Sequence, residues 1–333
     1  MSADLARTVT PIAQRAHAAS LVPALLILSV FSAGGIFAAT APDAKEQKSP
    51  STPLVFQAAG PVAVPREKQF DFTSRINGQI YRLMISAPLN AGRDQACPVF
   101  YVLDGNWYFR AASDMATWGS GSMVPAVVVG IGYPTEDYAE VRRRRTFDMT
   151  LSAPSPDSAP GLYGGGDAFL RVIEEEVKPF VAARYKIDSN RQIIYGKSLG
   201  GLMVLRLMFR HPTSFDTYIA ASPAISQHGG EVLADEKAFS ARVRAGELHL
   251  KLLLTSAGDE QYRGTDPKLL AAAQNSRMID NASELATRLA ALNPQNLTVV
   301  RTIFPDENHY SVSLASIGRA VRFALQAPSP AKP

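Results

Sequence analysis

With one cysteine, Cys97, in 333 residues, the chain cannot form an intrachain disulfide, and its stability must come from a packed core. Cys97 runs straight into the apolar stretch Val99 to Leu103, so it is expected as a buried bystander. No side-chain cluster has metal-ligand spacing, and no metal or cofactor is expected. A phosphate-cradling loop is missing too. Gly196-Lys197-Ser198 would close one, but Arg191 stands where the glycine five residues earlier is required. Charge of one sign is in slight excess, +4 net with 19% charged residues. That balance suits an anionic substrate without demanding one. No basic stripe interleaved with aromatics accompanies it, so no nucleic-acid partner is expected.

What is present starts with an export pattern. Arg7 and Arg15 form a basic region opposed only by Asp4, Leu21 to Phe31 is a nearly unbroken apolar run, and small residues surround Ala38 to Ala41. Residues 1–41 are therefore expected to be a signal peptide, which places the protein in the periplasm or outside the cell. The competing expectation is an uncleaved anchor, which would be the chain's one membrane contact. No cysteine lies near this stretch, which excludes a lipid anchor. Residues 42–65, with Pro42, Pro50, Pro53, Pro61 and Pro65, read as an extended tether. The folded domain is expected over 66–326 and a disordered tail over 327–333.

Within the domain, Ile76-Asn77-Gly78-Gln79 between two strand-like segments predicts a hairpin with a type I′ turn. Apolar runs follow at Val99–Leu103, Ala126–Ile131, Arg191–Tyr195, Tyr218–Ala221, Leu248–Thr255 and Leu297–Phe304. Helical patterns separate them at Asn106–Trp118, Asp167–Arg184, Leu199–Phe209, Pro267–Leu292 and Ser311–Leu325. Strands without polar alternation are covered on both faces. The pattern predicts an α/β fold: a mostly parallel central sheet with an antiparallel N-terminal edge and helices on both faces. Sites in such sheets lie at the strand carboxyl ends.

One strand end carries Gly196-Lys197-Ser198-Leu199-Gly200, a GxSxG pentapeptide between a β-branched run and an apolar helix pattern. This reads as a nucleophile elbow that presents the Ser198 hydroxyl outward. A chance match would lack that strand and helix context. A serine hydroxyl needs a base, and the chain offers five histidines. His17 falls in the export segment, and His211 follows the helix after Ser198. His249, at the start of a strand, reads as a packing residue. His228, in a loop, would touch either substrate or solvent. His309 follows the last strand and precedes the last helix, where the order nucleophile, acid, base delivers the imidazole. The acid is expected from Gly258-Asp259-Glu260, where either Asp259 or Glu260 would accept the imidazole proton. The Leu199 N–H and the Asn106 N–H, the latter in Asp104-Gly105-Asn106-Trp107, are expected as oxyanion donors. Trp107 and Tyr108 would form an aromatic wall or simply pack under the first helix. Residues Tyr133 to Gly166, rich in proline and without helical period, read as a substrate-binding flap. Its run Arg142-Arg143-Arg144-Arg145 is expected either as a solvated loop or as a guanidinium clamp through Arg142 and Arg145.

Several segments together resemble the esterase D-like, putative-esterase branch of the α/β-hydrolases, and most nearly its siderophore-esterase group, the hydrolases of enterobactin, salmochelin and bacillibactin. They are Arg75–Leu83, Tyr101–Asn106, Val129–Pro134, Arg145–Thr150, Gly165–Leu170, the elbow, Ala221–Pro223 and Glu307–His309. The likeness covers about Phe70 to Leu325. It implies Ser198 and His309 as the working pair, favours Glu260 over Asp259 as the acid, and implies Leu199 and Asn106 as oxyanion donors and arginine near the site for acidic catechol groups. The chain departs from the pattern twice. Gly258-Asp259-Glu260 is one residue shorter than the family's usual acid segment, which leaves the acid open between a triad and a dyad. Position 197 carries Lys where His is commoner. The expected activity is that of an exported serine esterase acting through an acyl-serine on a small-molecule ester, with a catecholate siderophore trilactone, in its ferric form or iron-free, as first choice. A broad-specificity carboxylesterase or an acyltransferase would share every catalytic residue, and a non-catalytic binding module would share the fold.

Overall fold

The computed structural model describes residues 63–88, 96–118, 122–153, 156–261 and 266–327. The export segment, most of the tether and all but the first residue of the expected tail lie outside the described residues. In chain order the elements are β1 (Glu67–Thr73), β2 (Ile80–Ser86), β3 (Cys97–Leu103), α1 (Gly105–Trp118), β4 (Val127–Gly132), α2 (Tyr138–Asp148), α3 (Gly166–Arg171) and α4 (Lys178–Ala182). They continue with β5 (Ile187–Lys197), α5 (Leu199–Arg210), β6 (Thr217–Ala221), α6 (Glu236–Arg244), β7 (Leu250–Ala257), α7 (Pro267–Ser276), α8 (Met278–Ala290), β8 (Leu297–Phe304) and α9 (Val312–Leu325). A π-helical turn, Val172–Val177, joins α3 to α4, and a 3₁₀ segment, Gln227–Asp235, leads into α6.

One sheet runs β1-β2-β4-β3-β5-β6-β7-β8. β1 with β2 and β2 with β4 are antiparallel, and every later pair is parallel. Because neighbouring strand residues point to opposite faces, each apolar strand feeds two cores. Phe100, Val102, Ile193, Tyr195 and Leu253 meet α1 and α9 through Phe109, Ala112, Ile317 and Val321. Tyr101, Leu103, Ile194, Leu252 and Leu254 meet α5, α6 and α8 through Leu205, Met208, Phe239 and Leu285. A sheet buried on both sides has no use for polar alternation, which is why these strands are continuous apolar runs. The expected mostly parallel sheet with an antiparallel N-terminal edge is the one observed.

Four local expectations are corrected. The hairpin turn spans Ser74 to Gln79 and has positive φ only at Gly78 (φ 72°), so it is not type I′, which needs two such residues. Asn77 instead folds back on the loop, its Oδ1 accepting the Gln79 N–H. The helix expected over Pro267–Leu292 is two helices, broken where Arg277 adopts the left-handed conformation (φ 48°). His249 is exposed, since alternation at the start of β7 buries Leu248 and Leu250 and turns the residue between them outward. His228 is neither solvated nor free: its side chain is 4% exposed and its Nδ1 lies 3.1 Å from Ser152 Oγ.

The stretch from Tyr133 to Gly166 is also not an irregular flap, because it contains the eleven-residue helix α2. Asp137 caps that helix, accepting from Ala139 N–H at 2.8 Å and Glu140 N–H at 3.1 Å. Its buried residues are Val141, Arg145 and Asp148, which share one helical face. Two of the three are charged, so no apolar period marks the helix.

Candidate active site

Ser198 joins β5 to α5 with φ 59° and ψ −116°, a conformation that a non-glycine residue holds only when its surroundings impose it. Its N–H bonds the Ala221 carbonyl at 3.0 Å, and its own carbonyl accepts from Leu202 at 2.9 Å and Ala224 at 3.2 Å. A Cβ on Gly196 would collide with the Gly200 backbone, so the turn closes only without one. Three further strand ends turn through left-handed non-glycine residues: Asp104 after β3, Ser222 after β6 and Asp306 after β8. Strain therefore gathers on one edge of the sheet, around the serine.

The base side is assembled from two loops. Ser198 Oγ lies 3.2 Å from His309 Nε2, and His309 Nδ1 lies 2.7 Å from Glu260 Oε1. The Glu260 side chain is fully buried and its Oε2 accepts the Ala257 N–H at 3.1 Å, whereas the His309 ring is 29% exposed. Asp259 meets the base loop through its main chain, its N–H donating to the Glu307 carbonyl at 2.9 Å. Of the two adjacent carboxylates, Glu260 is the one brought to the imidazole. Asn308 and Ser311 cap one another ahead of α9: Asn308 Oδ1 accepts from Tyr310 and Ser311, and Ser311 Oγ accepts from Asn308.

On the other side lies the loop after β3. The Leu199 and Asn106 N–H groups sit in the first turns of α5 and α1, where a helix has no acceptor for them. The Asn106 side chain is spent on the loop after β4. Its Nδ2 donates to the Tyr133 and Thr135 carbonyls, both at 2.9 Å, and its Oδ1 accepts the Tyr133 N–H at 2.8 Å. A Cβ on Gly200 would lie 3.2 Å from Asp104 Oδ2, so the Asp104 carboxylate packs against the first turn of α5.

The arginine run does not act as one clamp. Successive helical residues point about 100° apart, so each arginine finds its own partner. Arg145 is corrected from substrate ligand to internal strut: it is buried, with Nε and Nη2 at 2.7 and 2.8 Å from the two oxygens of fully buried Asp104. Arg143 pairs with Glu140, and Arg144 donates to the Ile80 carbonyl at 2.9 Å. Arg142 is exposed, and its side chain has no hydrogen bond or ion pair among the described residues. Trp107 is half-buried, with the Arg145 guanidinium 5.4 Å from its ring and Tyr138, itself 59% exposed, at 5.5 Å. Behind this side Asp148 accepts from Tyr81 at 3.1 Å and Tyr133 at 2.9 Å. Burial pushes its carboxyl up to about 6 despite those two hydroxyls. Asp104 as the partner of Arg145 was not foreseen. The available signal was the D-x-x-E pair Asp137 and Glu140, which marks a helix start and hence an inward-facing Arg145.

Comparison with known proteins matches the model of the family described as "Putative esterase" to residues 74–293. The ferri-bacillibactin esterase BesA of Bacillus subtilis is 34% identical over 268 residues, covering 78% of this chain and 89% of that protein. The siderophore triacetylfusarinine C esterase of Aspergillus fumigatus is also 34% identical, over 279 residues, covering 78% and 94%. Among solved structures, the BES protein from Bacillus cereus superposes with a TM-score of 0.72 at 28% identity, covering 81% of this chain and 100% of that one. A family match over more than half of the chain, and relatives matched along nearly their whole length, lead to one conclusion: the chain belongs to the "Putative esterase" family and is an ester hydrolase with the α/β-hydrolase fold.

Proposed function

We propose that this protein is an exported esterase that opens the ester linkages of a siderophore, a catecholate trilactone being the first choice, through an acyl-enzyme on Ser198. The observation that carries the mechanism is the relay Ser198 Oγ, His309, Glu260, with spacings of 3.2 and 2.7 Å. His309 Nε2 takes the hydroxyl proton as Oγ attacks the ester carbonyl, while Glu260 holds the Nδ1–H tautomer and balances the imidazolium. The carbonyl oxygen, now negative, is met by the Leu199 and Asn106 N–H groups. The imidazolium then gives its proton to the departing alkoxide, which leaves an acyl-serine, and water returns by the same route to release the acid. Trp107 forms a wall for the aromatic part of the acyl group, and exposed Arg142 is the guanidinium of the run that remains available to an acidic one.

Relatives named for ferri-bacillibactin and triacetylfusarinine C support a siderophore ester as substrate. The basic and apolar N-terminal segments support export. Purified protein should hydrolyse ferric and iron-free catecholate trilactones well above short aryl esters, and Ser198→Ala should do neither. Cleavage of simple esters alone makes it a broad carboxylesterase, and partitioning of the acyl group to an added alcohol makes it a transferase. Mass spectrometry of exported protein beginning near Pro42 would establish removal of the leader.

A further inference from the structure

The base side of the site presents a ring that the mechanism does not use. Tyr310 follows His309 and is 81% exposed. Its main chain is pinned at three points. The Tyr310 N–H donates to Asn308 Oδ1 at 2.9 Å, and its carbonyl accepts from Ser313 Oγ at 2.7 Å and from the Ser313 N–H at 3.3 Å. The ring meets the His309 imidazole edge to face, with centroids 5.7 Å apart. The usual reason for an apolar residue just before a helix cap is missing. With Ser311 as the cap of α9, a side chain at 310 would staple onto position 315, and Ala315 is too short to cover a ring. Leu314, in the first turn of α9, is 70% exposed as well. On the other flank, exposed Tyr138 is tilted 30° against Trp107, and Trp107 meets Tyr108 with centroids 6.3 Å apart. The Tyr108 hydroxyl in turn faces Ser313. Aromatic surface therefore runs from the oxyanion loop across the start of α1 to the start of α9, with an exposed tyrosine at each end. Exposed apolar side chains gathered around one site mark a binding surface, whereas scattered ones do not.

Resting on the esterase reading above, we propose that Tyr310 is a specificity-determining residue whose ring holds an aryl group carried by the alcohol half of the ester. The proton route sorts the two halves of a bound substrate. The carbonyl oxygen faces the Leu199 and Asn106 N–H groups, while the departing alkoxide must lie within hydrogen-bond reach of His309 Nε2, the atom 3.2 Å from Ser198 Oγ. The alcohol half therefore lies on the base side, and the exposed ring packed against His309 is that of Tyr310. Trp107 and Tyr138, beside the Asn106 donor, serve the acyl half. A flat aryl group suits Tyr310 better than a saturated ring of equal size, because paired aromatic rings gain beyond the area they bury. The substrate class is thus an ester with an aryl group on each half, one for each flank. A catecholate trilactone, with an aryl arm on every unit, meets that requirement.

The test compares kcat/KM for phenethyl butyrate and cyclohexylethyl butyrate, whose alkoxides leave about equally well, beside ethyl phenylbutyrate and ethyl butyrate, which vary the acyl half. Wild type should prefer the phenethyl over the cyclohexylethyl ester by roughly 3- to 10-fold, the range for one aromatic pair. Tyr310→Ala should erase that preference and keep the wild-type ratio between the two ethyl esters. Tyr310→Phe, which retains the ring, should keep both ratios. A second readout needs no turnover: in a Ser198→Ala background, Tyr310→Ala should weaken binding of the iron-free catecholate trilactone by roughly 3- to 10-fold, followed by tryptophan fluorescence. For a protein that accepts only the trilactone, this binding ratio decides. The proposal is overturned by a phenethyl preference that is absent in wild type, survives in Tyr310→Ala or is lost in Tyr310→Phe. Equal loss on all four esters in Tyr310→Ala, or unchanged trilactone binding, overturns it too. The esterase reading fails differently, by no turnover of any ester in wild type together with no fluorophosphonate labelling of Ser198.

Discussion

The two sides of Ser198 are built differently. On the oxyanion side, Asp104 and Arg145 are joined in a buried bidentate pair, and the Asn106 side chain is bonded at three points to the loop after β4. Asp148 lies below, between two buried tyrosines. On the base side, the His309 ring is 29% exposed and the next residue, Tyr310, is 81% exposed. That loop is held by backbone bonds and one reciprocal cap. Donors that stabilise developing charge work best when they need not reorganise, and in the proposed mechanism the side that carries the Leu199 and Asn106 N–H groups is the one locked into the core. An imidazole that shuttles a proton and lets products leave needs a looser mount, and one buried carboxylate is enough to orient it.

The largest effect should come from breaking the base side. His309→Ala is expected to lower turnover of any accepted ester by at least about 10³-fold with the fold intact, read from kcat beside circular dichroism. Glu260→Gln comes next, at roughly 10²- to 10⁴-fold through loss of the oriented tautomer. Asp259→Asn should stay within about threefold, and equal losses in the two variants would erase the distinction drawn between the adjacent carboxylates.

Breaking the oxyanion side should cost stability first. Arg145→Met leaves the Asp104 carboxylate buried and unpaired, worth about 3–5 kcal/mol and a melting temperature lower by roughly 10 °C. Asp104→Asn combined with Arg145→Met should recover part of that loss, since no lone charge remains and Asn tolerates the left-handed backbone at position 104. A melting temperature unchanged in Arg145→Met would mean that this side is not locked by the pair.

The smallest effect concerns Asp148. Its carboxyl is raised by burial to about 6 in the folded protein, so the fold binds this proton more tightly than the unfolded chain does. The resulting stabilisation is complete below the ordinary carboxylate range and is lost as pH rises through 6. Asp148→Asn should therefore gain in melting temperature relative to wild type between pH 5 and 7. A difference that stays flat across that interval would show that the carboxyl ionises normally.

The legible parts of the chain were those whose signal is local. β8 was read at its observed limits, and the elbow declares itself in five residues because only glycine fits beside the turn. α2 was missed because the inward face that should carry its apolar period carries Arg145, which is paired with Asp104 after β3, and Asp148, which accepts from Tyr81 on β2 and Tyr133 after β4. α7 and α8 read as one helix because nothing in the periodicity foretells that Arg277 turns left-handed between them.

Strand order of hydrophobicity, the bend at Ser198 and the sequence of nucleophile, acid and base are properties of neighbouring residues, governed by sterics and side-chain alternation, and so could be read from the chain alone. Choosing Glu260 over Asp259 and turning Arg145 inward to Asp104 depended on contacts that the chain cannot announce locally. Ser198 and His309 are 111 residues apart, and Arg145 and Asp104 are 41 apart. A charge is bound or freed by what the folded sheet sets against it, and desolvation at that meeting point gives each of these groups its role.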